Sequence, residues 1–426
     1  MADTIFALSS GRPPAAVSVI RVSGARAHEA GRLIAGSLPE VRMAAVRDLR
    51  HPSSGELIDQ GLVLRFDGPA SATGENIVEF QCHGGRAVVD ALLAGLASID
   101  GLREAQPGEF TRRAFANGQI DLLQVEGLAD LVSAETELQR KAALGLAGGA
   151  LSRKVGGWQE RLLALSARVE AALDFADEGD VGALGEDFAT DADALSAELQ
   201  HALAAPSAEI LREGFRVALA GPPNAGKSTL FNTLVDRDAA IVTPMAGTTR
   251  DVLQRPVALD GVPFTFVDMA GLRGETDDAV ESIGIARARA EIAAADCVLW
   301  LGPEGQGPDG AWEIEARCDL ADRARKRAPA HCVSAVTGFG MDGLKDALVE
   351  HARAAMPKPS EIALGRRQRD LLGAAANALG GITRLGDPLV IAEHLRTARN
   401  AFDHLTGRAA TEDMLDALFG RFCIGK

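Results

Sequence analysis

The stretch "GPPNAGKST", Gly221 to Thr229, decides the fold. It follows the strand-like run "RVALA" and precedes the helix-like "LFNTLV", the context a phosphate-binding loop requires. Gly221 and Gly226 permit backbone angles that other residues resist. The amides from Asn224 and Ala225 through Gly226 to Thr229 can then converge on a phosphate at the positive end of a helix. Lys227 is placed to neutralise phosphate charge, and Ser228 offers a hydroxyl to Mg²⁺. The bland alternative is a glycine-rich turn that holds nothing; motif and context together weigh against it.

A nucleotide hydrolase also needs an acid facing the metal and a sensor for the terminal phosphate. "FTFVDMAGLR" supplies Asp268 at the end of an apolar strand, then Met269, Ala270 and Gly271, and resembles the DxxG motif of GTPases. "AGTTRD", Ala246 to Asp251, resembles their first switch, with Thr249 as the second Mg²⁺ ligand. Leu272 stands where Ras-like enzymes carry a water-orienting glutamine, so another group must complete catalysis. Asn224 is placed to offer its amide oxygen to a monovalent cation, which the backbone of "TPMAGTT", Thr243 to Thr249, could cap. Glu281 is the candidate for positioning water; an ordinary exposed helix acid is the alternative. The base-reading motif is degraded: "ARCD", Ala316 to Asp319, keeps only the aspartate of NKxD, so weak guanine selectivity is expected. "SAVTGFG", Ser334 to Gly340, looks like the final GTPase motif, with the Ala335 amide facing the base carbonyl.

Outward from this core, strand-like runs alternate with helical stretches from Gly214 to about Met356, the pattern of a doubly wound α/β sheet. The run "GPEGQGPDGA" is too rich in Gly and Pro for the crossover helix normally used there. From Gln119 to Leu211, and again after "PKPSE", apolar residues recur at helical spacing, so the α/β unit reads as inserted into a helical bundle. From Met1 to about Phe115, β-rich runs such as "VSVIRVSG" and "ENIVEFQC" accompany one clear helix, "GRAVVDALLAGLASI".

The 426 residues suffice for several domains. No apolar run is long enough to cross a bilayer and no basic segment precedes the first apolar stretch, so a soluble cytoplasmic protein without a membrane partner is expected. Five cysteines without a CxxC pair predict reduced thiols rather than a disulfide framework or zinc site. The net charge of −15 repels polyanions, so a nucleic-acid partner needs a local basic surface. "RARKRAPAH" and "GRRQRD" are candidates, with solvated helix faces as the alternative.

Together with "IRVSG", "EFQCHGG", "GEFTRRAFANGQIDLLQVEGLADL" and the terminal "CIGK", these motifs resemble the MnmE (TrmE) family of bacterial tRNA-modification GTPases along the whole chain. The resemblance implies a multidomain fold: an α+β folate-binding-like domain, an α-helical bundle domain and an inserted α/β P-loop GTPase (Ras-like) domain. The corresponding segments are 1–117 for folate binding and dimerisation, 118–211 for the first helical part, 212–356 for the G domain and 357–426 for the second helical part.

It further implies a homodimer that works with the flavoprotein MnmG (GidA) on tRNA. GTP is the substrate, K⁺ and Mg²⁺ the ions, and 5-formyl- or methylene-tetrahydrofolate the one-carbon donor for C5 of the wobble uridine. Carried over by position, Arg21, Glu79 and Lys426 match folate contacts, while Gln119 departs from the basic residue usual there. Asn224, Thr243, Met245 and Thr248 match the potassium positions, within a loop that includes Pro244, Ala246 and Gly247. Ser228 and Thr249 match the magnesium ones, and Glu281 the acid that positions water. On the residues alone, Glu79 could equally be a surface strand acid. Cys423 is either a participant in uridine chemistry or a buried packing residue. Two rival readings stand: an RNA- or ribosome-assembly GTPase acting as a binding switch, and a folate-dependent transferase with vestigial hydrolysis.

Overall fold

The computed structural model describes residues 3–174, 184, 186–236, 253–269, 289–320, 325–358, 362–382, 387–420 and 422–425. They form two compact units, Met1–Ala129 with Asp403–Lys426, and Asp130–Phe402.

The first unit is built on a six-stranded sheet. Its strands are β1 (Thr4–Leu8), β2 (Val17–Ser23), β3 (Ala44–Arg50), β4 (Leu57–Phe66), β5 (Ile77–His83) and β6 (Leu102–Glu104), in the order β3-β4-β5-β2-β1-β6. All neighbours are antiparallel except β1 and β6. Alternation along the strands divides the side chains between two faces. Phe6, Ile20, Val22, Val78 and Phe80 share one core with Ile34 and Leu92 from the helices Ala27–Ala35 and Arg86–Ala97. On the opposite face Ile5 and Ala7 pack with Ala105 and Phe110, the latter from the helix Glu109–Ala116. The structure thus adds two short helices to the one that periodicity picks out. Each is nine residues or fewer, too short for the 3.6-residue repeat to stand out.

The chain end belongs to this unit. Leu415 and Phe419 of the helix Glu412–Phe419 pack with Phe422 against Leu122 and Val125. Gly425 is buried at φ +97, and a Cβ there would collide with the Leu8 carbonyl oxygen. The tail is docked.

The second unit holds the other six-stranded sheet. Its strands are β7 (Phe215–Ala220), β8 (Leu253–Leu259), β9 (Val262–Asp268), β10 (Cys297–Trp300), β11 (Trp312–Ala316) and β12 (His331–Val333), in the order β12-β11-β10-β7-β9-β8. Only the β8–β9 pair is antiparallel. The parallel β10 and β11 are joined without a helix, through residues 301–311. Glycines are needed there because the Trp300 indole lies against Gly302 and Gly307, and its Nε1 donates to the Pro303 carbonyl at 2.8 Å.

The helical part of the unit follows the sequence period closely. Leu151, Val155, Trp158, Leu162, Leu165, Val169 and Ala172 are the buried positions of the helix Ala150–Asp174, at alternating steps of four and three. That stripe faces neighbours: Trp158 stacks on Phe402 at 6.3 Å, and Arg161 and Arg168 pair with Glu198 and Asp191 of the helix Glu186–Ala204.

Candidate functional site

The phosphate loop lies between β7 and the helix Lys227–Asp236. Gly221 and Gly226 adopt φ +147 and +101, and each also lets another backbone or side chain approach closely. A Cβ on Gly221 would lie 3.0 Å from the Gly302 nitrogen, and one on Gly226 would lie 3.2 Å from Arg317 Nε. Asn224 takes φ +62, a region asparagine tolerates better than most residues, and its side chain is exposed. Ala225 is buried in the core beneath the loop.

Lys227 is 7% exposed and curls over the loop, with Nζ donating to the carbonyls of Gly221 at 3.0 Å and Pro222 at 2.8 Å. An ammonium held on neutral carbonyls can move to phosphate oxygens with a gain in charge pairing. Ser228 Oγ donates to Asp268 Oδ2 at 2.7 Å. Asp268 is 1% exposed at the end of β9, opposite Leu219 of β7, so the strand register delivers the acid to the loop. Hydroxyl and carboxylate together suit a hard divalent cation. Met269 packs with Val267 and Ile292.

The base-reading motif touches this loop through Arg317. Arg317 at φ +62 carries its guanidinium over Gly226, and the exposed Asp319 follows it. Ser334 is fully buried; its Oγ accepts from Thr337 N at 3.2 Å and its carbonyl from Gly338 N at 2.8 Å, which shapes the turn that contains Ala335. Thr229 is exposed on the helix after the loop. Arg317 stands at the lysine of the base-reading motif, but the motif does not show that it reaches the phosphate loop. Its position depends on a left-handed turn that only the folded chain reveals.

The basic runs are partly consumed internally. Lys326 bonds Glu313 Oε2 at 2.6 Å, and Arg369 donates to the carbonyls of Ala205 and Leu203 at 2.8 and 2.7 Å.

In the first unit, Arg21 and Glu79 are direct cross-strand neighbours on β2 and β5. Nε and Nη2 of Arg21 both approach Glu79 Oε1 at 2.8 Å, with the side chains 25% and 16% exposed. The Arg21 guanidinium lies 5.6 Å from the Phe110 ring centre. A carboxylate, a guanidinium and an aromatic ring on one sheet face form a set that suits a planar heterocycle with an amidine edge. Gly108 precedes the Phe110 helix at φ +69, where any Cβ would strike the Phe419 carbonyl, and its amide donates to the Cys423 carbonyl at 3.4 Å. The docked tail therefore adjoins the helix that carries Phe110. Cys423 itself is exposed between the buried Phe422 and Gly425, which removes the packing-residue alternative. Gln119 is exposed and its Nε2 would lie 3.2 Å from a Cβ on Gly74.

Beside Gly74 lies a charged network that no sequence motif announces. Ser23 Oγ bonds Thr73 and Glu75, each at 2.7 Å. Arg113 bridges Glu75, Asp3 and Glu109. The positions of Thr243 to Thr249, Ala270, Gly271, Glu281 and Lys426 lie outside the described residues.

A glycine loop, its lysine and serine, and a buried acid one strand away define a P-loop nucleotide-binding protein. Residues 4–119 match the family model described as the GTP-binding protein TrmE N-terminus, and residues 122–423 that of the MnmE helical domain. A protein of Erythrobacter litoralis (strain HTCC2594) named tRNA modification GTPase MnmE is 59% identical, covering 100% of both chains. Proteins of that name from Novosphingobium aromaticivorans and Rhizorhabdus wittichii are 57% and 54% identical over 100% of this chain, and over 100% and 97% of their own. The chain belongs to the MnmE (TrmE) family of tRNA modification GTPases, the family its sequence motifs resemble. Among the described residues no helix is long and apolar enough to cross a membrane.

Proposed function

We propose that this chain hydrolyses GTP to GDP and phosphate in a cycle stimulated by K⁺. In this reading it acts with the flavoprotein MnmG (GidA) in the cytoplasm and uses a tetrahydrofolate one-carbon unit to modify C5 of the tRNA wobble uridine. The observation that carries this reading is the convergence of Lys227, Ser228 and Asp268 in a chain whose relatives are named tRNA modification GTPases. The four sequence segments serve as folate-binding, helical, G and helical parts, and two copies form the working dimer.

With nucleotide present, Lys227 exchanges the loop carbonyls for phosphate oxygens. Ser228 and Asp268, with Thr249, are the residues that would hold Mg²⁺, which neutralises charge on the phosphates when bound. Asn224 with Thr243, Met245 and Thr248 would hold K⁺, which supplies the charge an arginine finger supplies elsewhere. Glu281 orients the attacking water, and Asp319 and Ala335 read the base. In the first unit, Glu79 accepts from the amidine edge of a pterin while Arg21 holds the carboxylate in place, with Gln119 and Lys426 as further contacts. Cys423 presents its thiol for the uridine chemistry.

GTP hydrolysis measured in matched KCl and NaCl tests the cation. Potassium should raise the rate several-fold, and Asn224→Ala should erase the difference. Equal rates for the unaltered chain in both salts would remove the cation from the mechanism.

A further inference from the structure

Cys318 and Cys332 lie on adjoining segments at one end of the second sheet. β11 and β12 run parallel, with Glu315 opposite Cys332 and Ala316 opposite Val333. Just past β11 the chain turns at Arg317, and the Cys318 amide donates to the Val333 carbonyl at 3.2 Å. That turn folds Cys318 back along β12. Its Sγ donates to the carbonyl of Glu315 at 3.0 Å, and Glu315 is the residue directly opposite Cys332 in the strand register. Cys332 is exposed and Cys318 half-buried. Cys318 immediately precedes Asp319, and Cys332 lies just before Ser334 and Ala335.

We propose that Cys318 and Cys332 are an oxidation-sensitive pair whose disulfide weakens guanine-nucleotide binding. The effect on nucleotide rests on the reading of Asp319 and Ala335 as base contacts; the disulfide itself does not. The oxidant class is a peroxide. The Cys332 sulfur attacks one peroxide oxygen, the O–O bond breaks, and a sulfenic acid and one water result from hydrogen peroxide. The Cys318 sulfur then attacks the Cys332 sulfur, the S–O bond breaks and a second water leaves. Two thiols lose two electrons and two protons in all, and one peroxide becomes two waters.

Burial, and then the neighbouring Cys332, push the Cys318 thiol up to about 11, which gives it the slower, resolving role. Cys82 and Cys297 are shielded from the same reaction, because burial pushes them up to about 11 and about 12. A disulfide sulfur carries no hydrogen, so the bond from Cys318 Sγ to the Glu315 carbonyl is lost on oxidation, which changes what holds the turn that carries Asp319.

Full-length protein is treated with a few equivalents of hydrogen peroxide, alkylated and digested without reduction. A peptide linking Cys318 to Cys332, two hydrogens lighter than its parts and cleaved by dithiothreitol, is expected. It should be missing from Cys332→Ser and from Cys318→Ser. Oxidation of other thiols without that peptide would overturn the pair. A fluorescent GDP titration should give about tenfold weaker binding after oxidation, the size expected for loss of a hydrogen bond to a charged group, with recovery in dithiothreitol and no response in Cys332→Ser. Asp319→Ala in reduced protein tests the base contact separately: unchanged affinity there overturns that assignment. If Asp319→Ala weakens GDP binding and the disulfide does not, the regulatory role is overturned.

Discussion

Ser228 Oγ donates to Asp268 Oδ2 across 2.7 Å, joining the first turn of the helix after the phosphate loop to the end of the neighbouring strand. Each residue is unremarkable alone. Together they place a hydroxyl and a buried carboxylate where a phosphate-bound cation would lie.

Asp268→Asn keeps the shape of this contact and removes its charge. Mg²⁺-dependent GTP hydrolysis should fall by about 10²-fold or more, the usual effect of losing one electrostatic stabiliser of a transition state. Circular dichroism should remain that of the parent. Hydrolysis within a few-fold of the parent would rule out the metal role of this acid.

Gly425→Ala tests the docking of the chain end. The new methyl group would meet the Leu8 carbonyl at a backbone angle, φ +97, that alanine resists. Amide hydrogen exchange around Phe422 should accelerate by about tenfold or more as the tail opens locally. Unchanged protection would mean that the tail is held by other contacts.

The sequence made the phosphate loop legible because its chemistry is local: glycines, a lysine and a serine at fixed spacing. Strands β7, β9, β10 and β12 were legible as apolar runs bounded by turn residues, and the long helices as apolar stripes. The helix-free link before β11 was legible too, since Gly and Pro resist helix. The Arg21–Glu79 contact was not, because it depends on a register between strands 58 residues apart, which the two local sequences do not encode. The same holds for Gly425 against Leu8, a fit between the two ends of the chain. Arg317 over Gly226 was not legible either, because a left-handed backbone turn and not the residue type aims that side chain.

The network around Glu109 predicts a pH dependence. Burial by itself raises the Glu109 carboxyl; hydrogen bonds from Arg103, the Gln106 amide and Arg113 outweigh it and hold the group below its ordinary value of 4.5. Asp3 is lowered in the same way, first by its hydrogen bond from Arg103. A carboxyl lowered on folding contributes its stability in full above the ordinary value and loses it as pH falls through the folded one. Thermal unfolding should therefore drop as pH is lowered from about 5 to about 3. Glu109→Gln should be roughly 1–3 kcal/mol less stable at neutral pH and flatter in its acid response. An equal acid slope in parent and variant would contradict the assignment.

Nucleoside mass spectrometry of tRNA from cells lacking this protein tests the account most directly. The C5 modification of wobble uridine should disappear, return with the unaltered chain, and fail to return with Asp268→Asn. Full modification in the deleted strain, or complete rescue by Asp268→Asn, would contradict a GTP-driven role in tRNA modification.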